Sequence, residues 1–237
     1  MNLQTLINLG AGLWFFACWI GYTHFARHKA RKDRSLSSVL QVHRQRWMQI
    51  MLSRENRMTD AALIASLERN ATFLASTSMF IIAGLITITA SIDQVYHTIA
   101  AVPFTNASMT PLQLQLKVIL LLFNFVYAFL SLTWSMRQYG FCSILLGAAP
   151  LHNEQLLTAE DRTHYANNMA QVIDNAGLSY NYGLRAFYFS LSILPWFFNT
   201  WLFIASVTLV VIILYRREFH SGTLHTLAKS LEYKSKG

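Results

Sequence analysis

The chain has 237 residues, is 54% hydrophobic and 14% aromatic, and carries 19 Lys and Arg against 11 Asp and Glu, a formal charge of +8. Only 13% of its residues are charged, against about 25% in a soluble globule, which excludes an ordinary soluble domain and points to one membrane domain over 1–237. The basic residues cluster beside hydrophobic runs, which directs the charge toward membrane orientation and anionic lipid and away from nucleic acid.

The first apolar run, residues 3–25, is long enough to cross a hydrocarbon core of about 30 Å. Its basic residues follow it and none precedes it, the reverse of a cleavable signal peptide, so it reads as a retained span. Next comes a basic stretch of Arg27, Lys29, Arg31, Lys32 and Arg34, expected to bind anionic lipid of the inner leaflet. Residues 35–66 then read as an amphipathic cytoplasmic segment, with Val39, Val42, Ile50 and Met51 on a helical stripe.

Second and third spans are expected at 70–91 and 117–136. Between them lies a connection that holds Asp93, Pro103 and Pro111 but no Lys or Arg, and that reads as irregular. The third connection, 137–185, contains a second amphipathic cytoplasmic stretch at 158–175. The last apolar run, 186–215, would be about 45 Å as one helix, too long for one crossing and too short for two. One long helix is expected, because a turn at membrane depth needs protein or water around its backbone. The expected fold is therefore all-α, with about four transmembrane helices plus cytoplasmic amphipathic helices.

Ten basic residues between Arg27 and Arg69 face four acidic ones, so the first loop is expected inside and the amino terminus outside. Four spans then place the tail outside. Its own basic residues, Arg216, Arg217, Lys229, Lys234 and Lys236, argue against that side.

Several segments resemble the family called domain of unknown function 599. They are RNATFLASTSMFIIAGL (Arg69 to Leu85), RQYGFCSILLGAAP (Arg137 to Pro150), the Trp47/Met51 pair and, most specifically, GLRAFYFS (Gly183 to Ser190). The resemblance implies a membrane location with about four spans and implies no chemistry. The chain departs from the family after the last span's Trp196-Phe197-Phe198, where Asn199-Thr200 stands in place of the family's Gly-Pro and Pro195 comes earlier.

Motifs of hydrolytic nucleophiles, of zinc proteases and of phosphate loops are absent. Cys18 and Cys142 match neither a CxxC pair nor a zinc spacing. His24 and His28 form an i,i+4 pair with no third ligand nearby in sequence, which reads as interfacial anchoring. No enzyme activity, metal or cofactor is expected. No Asp or Glu lies within a span, which argues against a pump built on buried carboxylates.

A polar stripe is the informative feature. Asn70, Thr77, Gly84 and Ser91 recur every seven residues in the second span, and Lys117, Asn124, Ser131 and Gln138 do so in the third. Seven residues are close to two helical turns, so each set shares a face. With Asn199 in the last run, these residues are expected to line a polar path in a homo-oligomeric channel or transporter-like protein, with Ser131 level with Thr77 and Asn124 level with Gly84. The same pattern also describes helix packing, since small and hydroxylated residues join membrane helices. The alternative function is a non-transporting membrane module that binds anionic lipid or a protein partner through its basic loop. Its expected location is a bacterial inner membrane, as an integral multi-pass protein.

Overall fold

A computed structural model of the chain describes residues 3–100, 110–151 and 158–232. These form α1 (Leu3–Lys32), α2 (Leu36–Leu52), α3 (Met58–Ala90), α4 (Ile92–Ala100), α5 (Pro111–Gly147), α6 (Ala159–Ile193), a 3-10 turn (Leu194–Phe197), α7 (Thr200–Phe219) and α8 (Gly222–Glu232). No strand occurs among the described residues, so the fold is all-α. Three helices, α1, α3 and α5, are long and apolar enough to cross a membrane. Large apolar side chains stand on their outer surfaces, Phe80 at 79% and Leu13 at 72% exposure. That is the surface a lipid solvent selects, since hydrocarbon neither expels apolar groups nor satisfies polar ones.

The helices start where local chemistry dictates. Thr110 and Gln113 form a reciprocal capping box with Pro111 in the first turn of α5, and Thr158 does the same with Asp161 at α6. Pro111, expected to mark an irregular loop, instead opens a helix, and α4 occupies 92–100 of that connection. The expected segment 35–66 is likewise divided: α2 ends at Leu52, and 58–66 is the first part of α3. Pro103 lies outside the described residues.

α3, α5 and α6 all extend past the apolar zone at one end of the bundle. There Met48 and Met51 of α2, Ile64 of α3, Cys142 of α5, and Met169 and Ile173 of α6 make a second core, separate from the one around Phe15, Phe189 and Phe203. The link from α2 to α3 is pinned to this core. Trp47 Nε1 donates to Asp60 Oδ1 at 2.7 Å, Arg54 pairs with the same carboxylate, and Arg57 donates to the carbonyls of Ala149 and Pro150.

The last apolar run breaks, contrary to the single helix expected. Pro195 has no N–H to continue α6, the chain tightens into the 3-10 turn, and the Asn199 side chain caps α7 by accepting from the Trp201 N–H at 2.8 Å. α7 then returns alongside α6: Ser206 Oγ donates to the Ser192 carbonyl, and Arg217 Nη1 to the Tyr188 hydroxyl. The run is too short for two full arms because its first arm begins upstream, within α6. The turn is packed by protein. Trp196 stacks on Phe203 with ring centroids 4.3 Å apart, and Asn8 Oδ1 accepts from Thr200 Oγ1 at 2.8 Å. That packing supplies the condition that had argued against a break.

The hairpin brings the tail back to the end where α2 lies. His43 Nε2 of α2 lies 3.2 Å from both the Leu227 carbonyl and Ser230 Oγ of α8. A tail opposite the first loop, as four spans required, is therefore corrected. Arg216, Arg217 and Lys229 now share an end with the basic first loop, as the distribution of Lys and Arg demands. Lys234 and Lys236 lie outside the described residues.

Candidate functional site

The two expected polar lines do not face each other. On α3 the residues turned toward α5 are Ala71, Ala75, Ser78 and Leu85. Ala71, Ser78 and Leu85 each fall one position after Asn70, Thr77 and Gly84, a rotation of about 100°. Asn70 and Gly84 are exposed, while Thr77 and Ser91 are half-buried. Thr77 and Ser91 return their hydroxyls to their own helix, at the carbonyls of Phe73 and Thr87.

The line on α5 faces α6 instead. Asn124, 0% exposed, donates through Nδ2 to Ser190 Oγ at 2.9 Å and to the Ala186 carbonyl at 3.2 Å. Gln138 Nε2 donates to Ser179 Oγ at 3.1 Å, and Ser135 Oγ to the Ala176 carbonyl at 2.7 Å. Lys117, 4% exposed, donates to the Trp196 carbonyl at 2.7 Å with its ammonium over the Trp196 ring. Ser131 is half-buried on the same helix. Gly183 lets α6 approach, since a Cβ there would sit 2.5 Å from Leu132 Cγ. These contacts form a closed seam. Asn199, the remaining expected path residue, caps α7 at the far end and does not join it.

At the other end the bundle opens into a polar cleft between α1, α2, α6 and α7, with a volume of about 390 Å³ in its larger lobe and about 110 Å³ in the adjoining one. Arg27 and Arg185 line the larger lobe, and Arg185 and Arg217 the smaller. Tyrosines hold all three. Arg27 Nη2 donates to the Tyr182 hydroxyl, Arg217 Nη1 to that of Tyr188, and the Arg185 guanidinium lies over the rings of Tyr22 and Tyr182 at 5.4 and 5.9 Å. Among the described residues none of the three arginines has a carboxylate within 4 Å. The two carboxylates at the cleft are engaged elsewhere. Asp174 pairs with Arg44 at 2.5 Å, and Glu218 Oε1 accepts from the Ser37 hydroxyl and N–H at 2.6 and 3.1 Å.

Of the basic residues expected to bind lipid, Arg27 lines this cleft. Lys29 turns to α7, donating to the Tyr215 hydroxyl at 2.7 Å and lying over the Phe219 ring. Arg34 is exposed just before α2. The side chains of Arg31 and Lys32 lie outside the described residues. In sequence, Arg185 and Arg217 stand at the two ends of the 186–215 apolar run, where a basic residue reads as an orientation signal and not as part of a site. The GLRAFYFS segment held the signal: it supplies the close approach at Gly183, Arg185 and Tyr188 of the cleft, and Ser190 of the seam.

A family profile described as Protein of unknown function, DUF599, matches residues 11–223, and the chain belongs to that family. No curated protein matches the chain, and no solved structure does.

Proposed function

We propose that this member of the DUF599 family is a non-enzymatic membrane module that holds anionic lipid at its basic end, in the inner leaflet of a bacterial inner membrane. One observation carries the reading. The carboxyl ends of α1 and α7, together with α2 and α8, gather at the same end of the bundle, where Lys29 bonds to Tyr215, Ser37 to Glu218, and His43 lies 3.2 Å from the Leu227 carbonyl. Basic groups at an anionic surface contribute about 1 kcal/mol each, so a cluster of them selects anionic over zwitterionic lipid. The test is the full-length protein in nanodiscs of mixed phosphatidylglycerol and phosphatidylcholine, with lipid retained around the protein measured at low and high salt. Enrichment of phosphatidylglycerol that weakens with salt supports the reading. Equal retention of the two lipids at low salt overturns it.

A second reading, transport by a homo-oligomer, has one observation in its favour. Asn70 and Gly84 stand exposed on α3, with nothing within 4 Å of a Cβ built at Gly84. A path would then run between copies, and not between α3 and α5, whose polar residues are engaged by α6. Particle mass in detergent together with tracer release from proteoliposomes separates the two readings.

A further inference from the structure

We propose that the cleft between α1, α2, α6 and α7 is a binding site for a phosphate-bearing group, and that its occupant is the headgroup of an anionic phospholipid. The inference rests on the anionic-lipid reading and goes further, assigning a defined site to one lipid in place of diffuse attraction.

The arginines are held for recognition. A tyrosine hydroxyl takes one N–H of Arg27 and one of Arg217, leaving most of each guanidinium's five donors for another acceptor. Arg185 lies over two aromatic rings, an arrangement that leaves the edge of the fork open for phosphate oxygens. Aromatic placement fixes the side chains without neutralising them, whereas carboxylate partners would cancel the charge. The balance is positive. Arg27, Arg44, Arg185 and Arg217 stand against Asp174 and Glu218, four cations to two anions, and Arg44 and Ser37 already engage those anions. Ser38, Gln41 and Asn181 add neutral polar groups around the larger lobe, whose size falls within the range of about 300–1,000 Å³ typical of small-ligand sites.

The surroundings favour a lipid over a soluble phosphate. An apolar groove of about 450 Å³ runs between α1 and α7, lined by Cys18, Gly21, Phe25 and Val211, and it shares Tyr22 with the cleft. Its residues lie toward the membrane centre from Arg27 and Arg217, on the course an acyl chain takes from a headgroup in the cleft. Tyr22, Tyr182, Tyr188 and Tyr215 sit at this level, the position of tyrosine in interfacial belts.

The experiment titrates the full-length protein in detergent with phosphatidylglycerol, phosphatidylcholine and soluble glycerol phosphate, reading bound lipid by native mass spectrometry beside a melting curve. Arg185→Gln is expected to weaken phosphatidylglycerol binding about tenfold, as loss of a charge-assisted hydrogen bond does. Arg185→Lys should recover only part of it, because charge returns without the fork. Arg46→Gln, which is basic but outside the cleft, is expected to change it little. Should Arg185→Gln melt abnormally, the double variant Arg27→Gln/Arg217→Gln decides, since both side chains are exposed. Equal effects of cleft and Arg46 substitutions would overturn the site while leaving salt-sensitive lipid selection intact. Glycerol phosphate binding as tightly as the lipid would overturn the lipid as occupant. Wild-type protein with no preference for phosphatidylglycerol would remove the underlying reading as well.

Discussion

Asn124 ties α5 to α6 at mid-depth through two donated hydrogen bonds, whereas Thr77 only folds its hydroxyl back on α3. Asn124→Leu is therefore expected to cost about 1–2 kcal/mol, the range for interhelical polar contacts in a membrane, and Thr77→Leu to stay within about 0.5 kcal/mol. Melting in detergent checks both, and a Thr77→Leu loss equal to that of Asn124→Leu would count against the seam. The glycines divide in the same way. A Cβ at Gly183 would meet Leu132 at 2.5 Å and the Ala128 carbonyl at 3.2 Å, so Gly183→Ala should destabilise by about 1–3 kcal/mol through overpacking. Gly84 meets nothing within 4 Å, and Gly84→Ala should raise stability by about 0.5–1 kcal/mol through helix propensity. Asp161 adds a pH dependence. Hydrogen bonds from the Thr158 hydroxyl and N–H hold its carboxyl below the ordinary value. The contribution of this cap is thus fully present above the unfolded-state value and is lost as pH falls through the folded one. Amide exchange over the first turn of α6 should quicken in acid, and Asp161→Asn should remove most of that dependence.

Among the elements, the decisive one is the turn around Pro195. It converts an apolar run with one apparent direction into the end of α6 and the whole of α7, and it reverses the side on which the chain emerges. The seam depends on it too, because Lys117 bonds to the carbonyl of Trp196 within the turn. The hairpin makes a definite topological forecast. In a Cys18→Ala, Cys142→Ala background, Gln45→Cys on α2 and Thr223→Cys on α8 should behave alike toward an impermeant thiol reagent. Gln94→Cys on α4 should behave oppositely. Reactivity of Thr223→Cys that follows Gln94→Cys would restore the unbroken helix.

At the scale of the whole molecule, the two ends differ in kind. One is capped by a second packed core and a cleft with surplus positive charge; at the other, α1, α5 and the turn meet around Trp196, Asn8 and Lys117. Within one chain Asn124, Ser135 and Gln138 of α5 are engaged by α6, and Lys117 by the turn. Proteoliposomes of the purified wild-type protein are expected to hold ionic and small-solute tracers as well as empty vesicles do. Specific, saturable release of any tracer would revive transport and shift attention to the outward face of α3.

The sequence by itself determined what depends on composition and short-range spacing. Long continuous apolar runs can cross a bilayer as helices because each segment then satisfies its own backbone, and the uneven Lys and Arg marked the chain's first loop as the basic one. The seven-residue recurrence of Lys117, Asn124 and Gln138 correctly grouped residues that share a face. It carried no information on which neighbour that face meets, and on α3 two such recurrences stand one residue apart, of which only the packed one is core. Tertiary structure alone decided these matters: that α6 covers the α5 line, that Pro195 makes a hairpin, and that Arg27, Arg185 and Arg217 share one cleft. Each joins residues distant in the chain, 155 positions in the case of Arg27 and Tyr182, through contacts that no local periodicity encodes.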